Sequence, residues 1–141
     1  LRYEVVKRLK RDFPNLQFIL NGGITTAEEI QNHLQWADGC MIGREAYSNP
    51  WLLAGFDGLI GKPGAEKTRF DVIEELRTYA ERELAKGESI RNITKSWLGL
   101  FHGQPGGRLY RQVLSDSTLL KANRWQVVED ALAKMAKHVT A

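Results

Sequence analysis

The chain has 141 residues, a formal charge of +3, 43% apolar residues and 26% charged residues. That length holds one ordinary domain or two small ones, and that composition excludes a disordered chain. No apolar run approaches the ~20 residues of a membrane span, and the single cysteine, Cys40, excludes an internal disulfide.

The first residues, LRYEVVKRLKRDF, are charged and amphipathic, unlike a signal peptide. With one thiol and no leader in view, a cytoplasmic protein is expected. Tyr3 to Arg11 reads as a short helix with Val5, Val6 and Leu9 on one side, stopped by Pro14. Gln17-Phe18-Ile19-Leu20 is a short apolar run bounded by Pro14-Asn15 and by Asn21-Gly22-Gly23, the pattern of a buried parallel strand.

A second helix follows. Thr25 with Glu28, and Thr26 with Glu29, both fit a capping box, and Ala27, Ile30 and Leu34 form its expected buried stripe. His33 is expected on its surface. Gly39-Cys40-Met41-Ile42 reads as a second strand, stopped by Gly43. Asn49-Pro50 opens a further helix, with Asn49 as cap and Pro50 first in the helix. Strands alternating with helices imply a parallel sheet, and two strands belong to a larger sheet than this chain supplies.

Residues 61–69, in a stretch rich in Gly, Pro and Lys, read as a linker between residues 1–60 and residues 70–141. Beyond it the periodicity is helical throughout. Ile73, Leu76, Ala80 and Leu84 mark one helix, and Ile90, Ile93, Trp97, Leu98 and Phe101 a second ending near Gly103 to Gly107. Tyr110 to Leu114 begin a third. Asn123 is expected to cap a fourth, whose inner face holds Val128, Ala131, Leu132, Met135 and Val139. Together these make an all-α bundle.

Charge is unevenly spread. Residues 1–61 hold six Lys/Arg against seven Asp/Glu, whereas residues 62–141 hold fourteen against ten. From Ser89 to Arg124 six basic residues face one acid, Asp116. Such a stretch points to a polyanion, or else to a solvated helix face. Trp97 and Phe101 are four apart and are expected in the core; Tyr110 fits either core or RNA stacking. His102 fits either an RNA-facing position or a local cap, and His138 a frayed terminus. No spacing of His, Cys or carboxylates suggests a metal site.

The two strand ends carry the chemical signal. FILNGGI and CMIGREAY each run from a strand into glycine, where backbone can lie close to a ligand. Each is followed by a helix start, whose free N–H groups favour an anion. Arg44 adds a planar cation suited to phosphate. In TIM barrels the loops after the seventh and eighth strands commonly hold phosphate. Either loop alone reads as a tight turn; both in sequence, with Arg44, favour a phosphate without saying whose.

NGGI followed by MIGREAYSNPWLLA resembles the end of the tRNA-dihydrouridine synthase barrel, and ITKSWLGLFHGQPGGRLYRQVLS resembles that family's helical tRNA-binding domain, in its A-type bacterial subfamily. The resemblance runs over nearly the whole chain. It implies an α/β fold: the C-terminal strands and helices of an FMN-binding TIM barrel, then a helical tRNA-binding bundle. It implies a flavin enzyme that reduces uridine to dihydrouridine in tRNA, with NADPH as reductant and a monomeric state when full length. By match to the family's motifs, Asn21, Gly22, Gly23, Gly43 and Arg44 contact FMN, and Arg108 and Arg111 contact tRNA. The family's catalytic cysteine is expected upstream of Leu1, and Cys40 is expected to be a buried small hydrophobe. Two alternatives stay open. One is a non-catalytic tRNA-binding module derived from the family. The other is a different phosphate-binding barrel enzyme, against which the basic helical tail argues.

Overall fold

The computed structural model of the chain describes residues 1–59, 61 and 67–139, without the side chains of Asp57, His138 and Val139. Most of the expected linker, and the roles expected for His138 and Val139, lie outside the described residues. The chain divides into two compact units, Leu1–Ala46 with Leu52–Gly64, and Tyr47–Trp51 with Ala65–Ala141.

Along the chain, helix α1 (Tyr3–Asp12), strand β1 (Ile19–Asn21), helix α2 (Ala27–Leu34), strand β2 (Gly39–Met41) and helix α3 (Arg44–Ser48) follow in order. A 3-10 helix, Pro50–Gly55, and helix α4 (Phe56–Leu59) come next. β1 and β2 pair in parallel, with Ile19 opposite Gly39, Leu20 opposite Cys40 and Asn21 opposite Met41. Parallel neighbours need a crossover, and α2 supplies it. The core is Leu20, Ile24, Ile30 and Ala37, with Tyr3, Val6, Trp36, Cys40 and Phe56 packed against it.

Several expectations shift here. The strands are not buried on both faces: Leu20 is 2% exposed, while Ile19 and Met41 are 57% and 54% exposed. One face is covered by helices and the other is open. The helix beginning at Pro50 is a 3-10 helix rather than an α-helix, and α3 precedes it where the sequence showed no helix.

On α1 the inward stripe is Tyr3, Val6 and Lys10, spaced i, i+3, i+7; Val5 and Leu9 are each 41% exposed. Tyr3 reaches Gly22, Val6 joins the core, and the Lys10 ammonium donates to both Asp38 carboxylate oxygens at 2.9 and 2.8 Å. On α2 Ile30 is buried as expected, but Leu34 is 39% exposed and His33 takes an inner position instead; Ala37, beyond the helix, joins the same core. His33 is half-buried between two rings, Tyr3 at 4.7 Å and Trp36 at 5.8 Å, rather than on the surface.

The second unit's described residues contain no strand. Its helices are α5 (Arg69–Ala85), α6 (Ile90–Thr94), α7 (Gly107–Ser115) and α8 (Gln126–Val139), with a 3-10 helix at Leu119–Ala122. Thr68 and Asp71 form a reciprocal capping box at the start of α5. The core gathers Ile73, Ala80, Ile90, Ile93, Trp97, Leu100, Phe101, Tyr110, Val113, Val128, Ala131 and Met135.

The helix expected from Ile90 to Phe101 stops at Thr94. Beyond it the chain closes successive three-residue turns: the Trp97 N–H donates to Thr94 at 2.8 Å, Leu100 to Trp97 at 2.9 Å, and Gln104 to Phe101 at 3.1 Å. Gly99, Gly103 and Pro105 disfavour a continuing α-helix. The tighter turn turns Trp97, Leu100 and Phe101 inward together, and leaves Leu98 half-buried.

Asn123 does not cap α8. It ends the 3-10 helix in a left-handed conformation, φ 47°, and its side-chain oxygen accepts the Ile90 N–H at 2.7 Å, at the start of α6, where Ser89 is the cap. Trp97 and Phe101 are buried as expected, and Tyr110 joins the core at 0% exposure. Among the described residues its hydroxyl has no hydrogen-bond partner, and burial pushes its pKa well above the usual phenol value.

Candidate functional site

The loops after β1 and β2 meet at one cavity of about 470 Å³. Asn21, Gly22, Gly23, Gly43 and Arg44 all line it, beside Ile24, Thr25, Met41 and Glu45. The five residues singled out in the sequence are therefore brought together by the parallel pairing, which aligns the two strand ends.

Gly22 and Gly23 have φ of +110° and +66°. L side chains rarely adopt either, so a residue with a Cβ would strain the turn. The Tyr3 hydroxyl donates to the Gly22 carbonyl at 2.6 Å, and a Cβ on Gly23 would lie 3.0 Å from that hydroxyl. Tyr3 thus braces the loop from α1. No sequence motif flags it; only its place at the head of the Tyr3, Val6, Lys10 stripe does.

The backbone N–H groups of Gly22, Gly23 and Gly43 find no acceptor among the described residues. Arg44 has no carboxylate within ion-pair distance among them. Donors and a guanidinium around one cavity suit an oxyanion.

Of the two capping boxes expected at the start of α2, the one between Thr26 and Glu29 forms. The Glu29 carboxylate accepts the Thr25 and Thr26 N–H groups at 2.8 and 3.0 Å, and the Thr25 hydroxyl at 3.1 Å. These bonds, the Thr25 backbone one foremost, hold the Glu29 carboxyl below the usual carboxylate range. The protein's own anion therefore occupies part of the helix start expected to be free. Cys40 lies mid-strand, half-buried, with its thiol pKa raised by burial.

In the helical unit a second cavity, of about 240 Å³, is lined by Leu98, Gly99, Phe101, His102, Gly103, Gln104, Gly107, Arg108 and Arg111. Arg108 and Arg111 stand on one face of α7, in its first two turns. Gly106 starts that helix at φ +74°, where a Cβ would lie 2.5 Å from Met135 Cγ, so the close approach to α8 requires glycine. Pairing of the two arginines with Glu81 or Glu88 is not found. Glu81 pairs with Arg77 at 2.9 Å, and Glu88 accepts from Asn92 at 3.0 Å. Among the described residues Arg108 and Arg111 have no carboxylate partner. No helix among them is long and apolar enough to cross a membrane, and no cluster of three or more His, Cys, Asp or Glu is placed to hold a metal.

Residues 1–137 match the model of the family described as dihydrouridine synthase. The chain is similar to the tRNA-dihydrouridine(20/20a) synthase of Pseudomonas aeruginosa, 45% identical over 137 residues, which is 96% of this chain and 41% of the relative. It is similar to the enzyme of that name from Vibrio cholerae, 45% identical over 96% of this chain and 42% of the relative. The Synechocystis enzyme of the same name is 44% identical over 94% of this chain and 40% of the relative. The chain thus spans about two fifths of the length of the curated relatives it matches. It belongs to the dihydrouridine synthase family.

Proposed function

From that membership we propose that the chain is the C-terminal part of a protein that reduces uridine to dihydrouridine in tRNA, using FMN and NADPH. The observation that carries this reading is the single cavity formed where the two strand ends converge, lined by Asn21, Gly22, Gly23, Gly43 and Arg44. The unaccepted N–H groups and the guanidinium there fit the phosphate of FMN. Bound there, FMN would supply the hydride that reduces the uracil ring.

The chain's own residues bind and orient. Arg44 holds the phosphate charge, and the Gly22-Gly23 turn brings bare backbone close to it. Asn21, at the end of β1, offers an amide beside that turn. The open face bearing Ile19 and Met41 packs against the remaining strands of the barrel. Residues 70–141 act as the tRNA-binding domain, with Arg108 and Arg111 taking backbone phosphates. The target base must leave its stack to be reduced, so an enzyme of this kind must grip the RNA away from the reacting base. The catalytic cysteine lies upstream of Leu1.

The test is incubation of the full-length protein with FMN, NADPH and unmodified tRNA, followed by mass spectrometry of the nucleosides. Dihydrouridine should appear and should require NADPH. Tight tRNA binding without any dihydrouridine would instead indicate a non-catalytic RNA-binding module.

A further inference from the structure

Three side chains around the cavity on α7 can carry positive charge, and sequence motifs account for only two. Arg108 and Arg111 come from α7; His102 comes from the run of turns before it. All three are exposed. His102 forms no ring stack, side-chain hydrogen bond or ion pair among the described residues; only its backbone N–H is engaged, to Gly99 O at 2.9 Å. The local cap considered for it is therefore not formed by its ring.

A buried or paired histidine would need no ligand to explain it. This one stands open beside two guanidinium groups that also lack a carboxylate. The two guanidinium groups repel one another in the free protein, and an anion relieves that repulsion. The other residues lining the cavity are neutral, so Arg108 and Arg111 are the charged groups that His102 meets there.

We infer that His102 is a third member of the tRNA contact, adding its ring N–H to the backbone phosphate held by Arg108 and Arg111. This rests on the reading that those two arginines touch tRNA. Imidazole is the side chain whose charge changes between about pH 5 and about pH 8, and RNA phosphodiesters do not titrate in that window.

The experiment is tRNA binding by the full-length protein at about pH 6 and about pH 8, with wild type, His102→Gln, and the Arg108→Ala/Arg111→Ala double variant. Thermal melting at both pH values checks that each variant is folded. Wild type should bind roughly three- to tenfold more tightly at the lower pH, the size of one added charge at a partly solvated phosphate. His102→Gln should bring that ratio close to one. A His102→Gln protein that keeps the pH gain, or a wild type that shows none, overturns the inference. Loss of affinity in the double variant, with the pH gain intact in His102→Gln, leaves the arginine contact standing and removes His102 alone. Unchanged affinity in the double variant removes the arginine contact and the inference with it.

Discussion

The hydroxyl of Tyr3 donates to the carbonyl of Gly22 at 2.6 Å, tying the first turn of α1 to the loop that follows β1. That bond sets the plane of the peptide between Gly22 and Gly23, and so the direction of the Gly23 N–H. Tyr3→Phe keeps the ring against His33 and removes the bond. It should loosen the loop by ~1 kcal/mol, seen as faster hydrogen exchange at Gly22 and Gly23 and weaker retention of FMN by the full-length protein. Unchanged exchange and retention would mean the loop holds its shape without α1.

The Asn123 side-chain oxygen accepts the Ile90 N–H across 33 positions, at 2.7 Å. Asn123 also sits at φ 47°, which asparagine tolerates better than alanine. Asn123→Gly removes that acceptor, together with the amide's donation to the Glu88 carbonyl at 3.4 Å, and should cost about 1–3 kcal/mol in urea unfolding. Asn123→Ala should cost more, because it adds the left-handed strain. Equal stability of Asn123→Gly and wild type would show that water satisfies Ile90 as well.

The Tyr110 hydroxyl lies buried with no partner among the described residues. Leaving such a group dry costs about 1–3 kcal/mol, so Tyr110→Phe should hold or raise stability while keeping the ring against Phe101, 4.7 Å away. A loss above ~1 kcal/mol would reveal a water or a partner at that hydroxyl.

These outcomes separate what could be read in the sequence from what could not. The two strands, the glycine turns and Arg44 were legible because strand length, bounding glycines and loop order are local patterns. The inward stripes expected on α5 and α8 were legible too, since Ile73, Leu76, Ala80 and Leu84, and Val128, Ala131, Leu132 and Met135, join the core or pack against it; the inward side of α1 and, at Leu34, of α2 was not. Val5, Leu9 and Leu34 are apolar and correctly spaced, yet Tyr3, Lys10 and His33 take the inner positions through bonds to Gly22, Asp38 and neighbouring rings. Those partners are 19 to 28 residues away for Tyr3 and Lys10, beyond any local pattern. Asn123 misled for the same reason: its residue type signals a cap, but the helix start whose N–H it accepts lies upstream. The break after Thr94 was hidden because turns of three and of nearly four residues place Trp97 and Phe101 on similar sides.

Asp38 predicts an acid response. Its carboxylate accepts the Lys10 ammonium and the Phe18 N–H at 2.8 Å each, and these bonds, Lys10 first, hold its pKa below the usual carboxylate value. A depressed carboxyl contributes stability that is present above its unfolded value, near 4, and is lost as pH falls through the folded one. Stability of the wild type should therefore fall on acidification below about pH 4, and Asp38→Asn should be weaker at neutral pH with a shallower fall. A parallel fall in both proteins would place the acid sensitivity elsewhere, with Glu29 and Asp71, also depressed, as the next residues to change.

The most direct measurement is FMN titration of the full-length protein with Arg44 intact and with Arg44→Ala. If the strand-end cavity holds the flavin phosphate, losing the charged hydrogen bond should weaken FMN by about 1.5–3 kcal/mol, or roughly 10- to 150-fold, while tRNA affinity stays level. FMN binding unchanged by Arg44→Ala would contradict the assignment and leave Arg44 a structural residue at the strand end.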